Sequence, residues 1–549
     1  RTAIWIIAQL KLLFAAFVLA VPMFALIIEF IGFFTKDERY DKLAYEFTSL
    51  LSPAFALTAA FGGVLTFMLI ILYPKFTNYL MSVFSPTFLP YVILLFAEAA
   101  FFYTYYYSWG KIDKKAHLAL GLALNVVGTG IMFIANAWLT FMSSPAGISE
   151  SGAVLSVWDA VNNYTWMPIN IHRLIANLAY GGSVAAAYAA YQFLKAKTDE
   201  ERAHYDWMGY IANFVAIAGF LPLPFAGYWL ASEIYAFDQT MGLTMMGGAF
   251  SWLFIIQAVL IGNLFLGINY YLWLGMGRVE GRKTGKSLIP ILLGVITICF
   301  MVWATPRSPI TTAAETSAMG GSSHPILGFL GVMSAKNTAV NLMILATFVS
   351  FLIYRRTGKK LTAGWSKVGT AIQSTILFLS AGIVLFLGIY GYFVDAATRI
   401  FFSIPMVLSV LFAMMIVTAI DIFLLRGSES GKTRWGFMPP RSQYVLIFLA
   451  VTFTWLMGLM GYVRSGLRQH WHVYGVIRDT SPGAYTPTLG YATQVVSVTV
   501  LIFFVLIGFI FWLASLSHKK KGVDEAVAEE PREAPLGETA PGMARSQTS

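Results

Sequence analysis

WIIAQLKLLFAAFVLAVPMFALIIEFIGFF, Trp5–Phe34, decides the fold. Its only charged residues are Lys11 and Glu29. A helix needs about 20 apolar residues to cross a bilayer, at a rise of about 1.5 Å each. The run is too long for the apolar core of a signal peptide and has Lys11 inside it, so it reads as a spanning helix. Twelve further runs of this kind follow, near 50–73, 88–109, 115–143, 168–194, 206–230, 246–276, 288–305, 326–354, 368–394, 399–425, 442–463 and 491–516. In lipid only helices or closed barrels satisfy every backbone polar group, and the runs lack the period-two alternation of barrel strands. The expected fold is therefore all-α: a polytopic membrane bundle of about 13 transmembrane helices.

Composition agrees. The chain has 549 residues, 58% hydrophobic and 12% charged, against about 25% charged in an ordinary soluble domain. The net charge of +10 lies in short clusters between apolar runs, which suits anionic headgroups and excludes a nucleic-acid stripe. Basic residues crowd alternate loops, such as Lys111–Lys115, Arg278–Lys286, Arg355–Lys360 and Arg426–Arg441. Loops 144–166 and 231–245 have almost none. By the positive-inside bias the N-terminus is expected outside and the C-terminus inside. The tail 517–549, rich in Lys, Glu, Pro and Ala, reads as disordered and cytoplasmic. One cysteine, Cys299, excludes an internal disulfide and covalent c-type haem attachment. No phosphate-binding loop or HExxH helix is present.

Ionisable residues within spans are costly and invite functional readings, although charges at span ends usually snorkel to the headgroups. Lys11, Glu98, His172, Arg173 and Asp421 lie within runs; Glu29, Asp395 and Arg399 lie nearer run ends. His172 should sit about 6 Å below the outer edge of the fifth run, and Met406 about 10 Å below the outer edge of the eleventh. A His/Met pair can grip one haem from both faces and give a low-spin iron with a raised potential. Against this, a membrane histidine more often bonds a neighbouring helix, and most of the 22 methionines fill packing gaps. The outer segment RSGLRQHWHVYGVIR, Arg464–Arg478, offers Arg468 and Trp471 beside a propionate, or simply an interfacial Trp/Arg belt.

Several segments together resemble subunit I of the cytochrome bd quinol oxidases. They are FAEAAFFYTYYYSWGK (Phe96–Lys111), NAWLTFMSSPAG (Asn136–Gly147), INIHRLIANLAYGG (Ile169–Gly182), IPMVLSVLF (Ile404–Phe412) and GLRQHWHVYGVIRDTSP (Gly466–Pro482). The resemblance covers about two thirds of the chain. It implies that His172 and Met406 are the axial ligands of at least one low-spin haem b, and that Glu98 lies near further haems or in a proton path. It divides the chain into 1–230, similar to the family's first six helices; 231–367, apolar helices in place of its hydrophilic quinol loop; 368–516, its C-terminal helices; and the tail.

The departures are equally informative. Where the family has a haem-ligating His in its first helix, this chain has Lys11, and where it has a ligating Glu, this chain has Ser465. His470 and His472 are the nearby replacement candidates, and His324 lies in a short outer loop. The expected function is a haem b-containing electron-transfer subunit of a respiratory complex in a bacterial or archaeal cytoplasmic membrane. It would link a quinone pool to a redox partner, with a second membrane subunit and an outer-side multihaem cytochrome c as partners. The alternatives are a terminal oxidase that reduces oxygen to water with replaced ligands, and a cofactor-free transporter or structural subunit.

Overall fold

The computed structural model describes residues 2–246, 250–281, 285–306, 312–318, 320, 325–480 and 489–529. Its helices, in chain order, are α1 (Thr2–Thr35), α2 (Glu38–Thr48), α3 (Leu51–Leu72), α4 (Pro74–Tyr107), α5 (Lys114–Phe141), α6 (Val157–Val161) and α7 (Trp166–Lys195). Next come α8 (Asp199–Phe220), α9 (Leu223–Phe237), α10 (Gln239–Met246), α11 (Ser251–Gly275), α12 (Leu288–Ala304), α13 (Ala313–Ala318) and α14 (Pro325–Leu330). The last are α15 (Met333–Arg356), α16 (Ser366–Tyr390), α17 (Ala396–Phe401), α18 (Ser403–Leu425), α19 (Pro440–Gly466) and α20 (Leu489–Glu529). Two short antiparallel ribbons join loops: β1 (Lys359–Lys360) with β2 (Glu429–Ser430), and β3 (Trp471–Val473) with β4 (Ile477–Arg478).

Every expected apolar run carries a helix. Among the described residues, 11 helical segments are long and apolar enough to cross a membrane. Two expected spans fall outside that set. Helix α7 is long but polar, with Asn170, His172, Arg173 and Asn177 in it, and α12 has only 17 residues. Both are paired with other helices: α7 packs against α8, α19 and α1, and α12 against α15 and α11. A helix that buries polar side chains between neighbours loses the uniform apolarity that marks a lipid-facing span. The helices of 231–367 pack on those that follow: α11 on α19, and α15 on α16 and α18.

The basic loops meet at one end of the bundle. There Arg278 donates to Asp206 and to the Tyr354 hydroxyl, while the Gly436 amide donates to the other Asp206 oxygen at 2.9 Å. The Arg278 guanidinium also lies over the rings of Trp435 and Tyr210, at 4.9 and 5.3 Å. Arg355 and Arg356 pair with Asp421, which is fully buried. Near the same end, Glu29 accepts from Tyr105 (2.6 Å), Lys114 (2.5 Å) and His117 (2.6 Å). Glu29 and Asp421, flagged in the sequence as costly charges in lipid, and Asp206, which was not, are thus structural: each is surrounded by donors that offset its desolvation. Arg399 is likewise engaged, donating to the Gly391 and Val394 carbonyls and pairing with Glu315, while Asp395 caps α17.

At the other end, the hairpin of β3 and β4 covers the bundle. Tyr474 donates to Asp238 at 2.7 Å, its amide donates to the Met142 carbonyl at 2.9 Å, and Tyr79 donates to the Gly152 carbonyl at 2.9 Å. The turn before β3 puts Gln469 at φ 51, a left-handed conformation that costs a side-chain-bearing residue about 1 kcal/mol or more.

Candidate functional site

A large cavity runs between α1, α3, α4, α5, α7, α9, α15, α18 and α19, with a volume of about 1920 Å³. Pockets for one small organic ligand span about 300–1,000 Å³, so this one has room for more than a single group. Its walls are mostly apolar, but Lys11, Glu98, His172, Arg173 and Arg464 all line it.

His172 sits two turns into α7, where the imidazole faces the cavity beside Gly227 of α9. A β-carbon on Gly227 would come 3.8 Å from the ring, so a glycine there leaves the ring face open. Among the described residues the imidazole has no hydrogen-bond partner. A half-buried ring on an apolar cavity wall, without a protein partner, leaves its nitrogens open to a ligand. Arg173, next along α7, donates to the Asn136 side chain, which in turn donates to Asn170 at 2.7 Å. Arg464, on the last turn of α19, has a buried Nη1 without a hydrogen-bond partner among the described residues. It lies close enough for its charge to act on Arg173, and the Arg173 charge acts on Lys11.

The ionic balance of the cavity is uneven. Lys11, Arg173 and Arg464 face it as cations and Glu98 as the single carboxyl, with no ion pair among them. Clustered cations in a low-dielectric cavity need an anion. A haem brings two propionates and an iron that accepts an imidazole, so the residues present fit such a group. His172 would ligate the iron, and Arg173 with Arg464 would hold the carboxylates.

The other sequence candidates fall elsewhere. Met406 is 1% exposed and packed in the core; from α18 the cavity wall is made by Ser403, Ile404 and Val407. Arg468 does not line the cavity. It donates to the His472 carbonyl (2.8 Å), the Ser465 hydroxyl (3.1 Å) and the Met142 sulfur (3.2 Å), which fastens the hairpin. Trp471 lies in β3 opposite Arg478. The His472 ring packs on Tyr73 and Phe76 and its Nε2 lies 3.5 Å from Asp479, whose amide donates to the His470 carbonyl. His324 lies outside the described residues. The structure therefore joins Lys11, Glu98 and His172 and leaves Met406, Ser465, Arg468, His470, Trp471 and His472 off the wall. Arg464 belongs to the outer segment read as either a propionate clamp or an interfacial belt, and its sequence position at a span end looks the same as that of a snorkelling arginine.

Comparison with known proteins agrees with the resemblance in the sequence. The family described as cytochrome bd terminal oxidase subunit I matches residues 1–262. A putative cytochrome bd menaquinol oxidase subunit I from Bacillus subtilis (strain 168) is 24% identical over 193 residues, 34% of this chain and 43% of the relative. The match thus spans less than half the length of that relative. The bd oxidase structure from Geobacillus thermodenitrificans aligns over 94% of this chain and 96% of that one, at 13% identity and a TM-score of 0.45.

Proposed function

We propose that this chain, whose residues 1–262 match the cytochrome bd terminal oxidase subunit I family, is a haem b-carrying electron-transfer subunit of a respiratory oxidoreductase complex. It would lie in a bacterial or archaeal cytoplasmic membrane and pass electrons between a quinone pool and a redox partner. A second membrane subunit and an outer-side multihaem cytochrome c are the proposed partners.

The observation that carries this reading is the half-buried His172 imidazole on a cavity wall, without a protein partner among the described residues, beside Arg173 and Arg464, which pair with no carboxylate there. When bound, haem supplies a one-electron redox centre. The chain's own residues do the rest. His172 offers a nitrogen lone pair, Arg173 and Arg464 orient the carboxylates, and the apolar wall excludes water. A low-dielectric surround with paired charges tunes the potential of such a centre.

The competing reading, a terminal oxidase, draws on Glu98 in the same cavity, an acid without a partner beside space for a further group. Reduced-minus-oxidised spectra of the purified protein, with and without carbon monoxide, test the two. We expect a low-spin b-type band that carbon monoxide leaves unchanged. A carbon monoxide-reactive band would favour the oxidase, and a protein free of haem absorbance would defeat both.

A further inference from the structure

Lys11 is the cation that the reading above leaves over. It lies on α1, half-buried, and lines the cavity. Its amine feels the charge of Arg173, and Arg173 feels that of Arg464, so the three make one run of positive charge on the wall. Arg173 is held there by the Asn136 side chain, which donates in turn to Asn170 at 2.7 Å. Lys11 has no hydrogen bond or ion pair among the described residues. Across the seam stands α3, where a β-carbon on Gly62 would lie 3.8 Å from the Lys11 Cε and meet nothing closer. The carboxyl of the cavity is elsewhere. Oε1 of Glu98 would lie 3.1 Å from a β-carbon on Gly128, at a spot shared with Leu19. Leu19 is about 12 Å further along α1 than Lys11, by helical rise. Among the described residues no carboxylate cancels the Lys11 charge.

We propose that Lys11 sets the redox potential of the group bound in the cavity, by favouring its reduced form. This rests on the electron-transfer reading above and adds to it a residue that touches neither iron nor carboxylate. The argument is a count of charges. An iron porphyrin with two carboxylates carries one net negative charge when ferric and two when ferrous. Arg173 and Arg464 answer the carboxylates in both states. The added electron makes the site more negative, and Lys11 is the cation left to meet it. The mostly apolar wall leaves that charge poorly screened. Across a medium of effective dielectric about 20, a unit charge about 10 Å away biases such an equilibrium roughly tenfold. The ammonium therefore acts through space, and it neither gives nor takes a proton. A lysine that served only to pack α1 against α3 would leave the potential unmoved.

The test is a spectroelectrochemical titration of the full chain in nanodiscs, which reads the haem midpoint potential. Lys11→Met should lower the midpoint by the equivalent of at least tenfold in the equilibrium, about 59 mV for one electron. Haem content and band position should not change, and Lys11→Arg should keep the native midpoint. Gly62→Asp sets a carboxylate beside the intact amine, at a site open to a side chain, and should produce a similar fall; Gly62→Ala should not. This second pair decides the matter if Lys11→Met does not fold. An unchanged or raised midpoint in Lys11→Met and Gly62→Asp, with haem intact, overturns the role of Lys11 and leaves the electron-transfer reading standing. Loss of haem from Lys11→Met also overturns it, because Lys11 would then hold the group and not tune it. A wild type free of haem sinks the electron-transfer reading and this inference together.

Discussion

The Tyr474 phenol donates a 2.7 Å hydrogen bond to Oδ2 of Asp238, tying the hairpin of β3 and β4 to the start of α10. Both groups lie outside the spans. The same carboxylate accepts from the Met241 amide at 2.9 Å, which caps α10. One contact therefore orders the outer end of α9 and α10, whose residues line the cavity near His172.

Alkaline pH should loosen this contact. Burial, and then the neighbouring Asp238 carboxylate, push the Tyr474 phenol up to about 12, whereas an unfolded tyrosine ionises at about 10. The folded hairpin favours the neutral phenol, so its stabilisation is complete below about pH 10 and is lost as pH rises towards 12. Hydrogen exchange of the β3–β4 amides should accelerate over that window in the native chain. Tyr474→Phe should exchange faster at pH 8 and respond less to the rise.

His172→Ala should remove the low-spin haem and leave the helical content unchanged. The site is a cavity wall, so truncating the ring exposes no new core. Pyridine haemochrome content per chain and circular dichroism check both halves. Full haem content with an unaltered spectrum would defeat the ligand assignment.

Met406→Leu discriminates packing from ligation. Met406 is buried behind the wall formed by Ser403, Ile404 and Val407, and a volume-conserving swap in a core usually costs under about 1.5 kcal/mol. The expected result is a small loss of thermal stability with haem content, spin state and potential unchanged. A high-spin shift would make Met406 an iron ligand, as its pairing by depth in the sequence suggested.

Asp206→Ala should be among the most damaging substitutions in the chain. The Asp206 and Arg278 side chains are 0% and 1% exposed, and removing one member of a buried pair costs about 3–5 kcal/mol, because the other charge stays unpaired. Thermal unfolding in detergent should show the loss with haem binding intact below the transition. A change within experimental error would mean that water or Tyr354 satisfies Arg278 alone.

Much of this molecule was legible without coordinates. Apolar runs of twenty residues or more admit one backbone solution in lipid, so the helical bundle and nearly every helix position follow from the chain alone. The costly ionisable residues could also be named, because each stands out against that background. Their roles could not be. Glu29, Asp421 and Glu98 look alike in sequence, yet Glu29 faces Tyr105, Lys114 and His117, Asp421 faces two arginines, and Glu98 faces a cavity. Likewise Arg468, the expected propionate clamp, is occupied by the hairpin, while Arg173 and Arg464 reach the wall from α7 and α19. Depth in the membrane can be counted from rise per residue, and that count set His172 and Met406 at similar levels without showing which of them meets the cavity. The side of a helix that meets a cavity depends on how neighbouring helices are rotated and packed, a non-local property, and only the tertiary structure decided it.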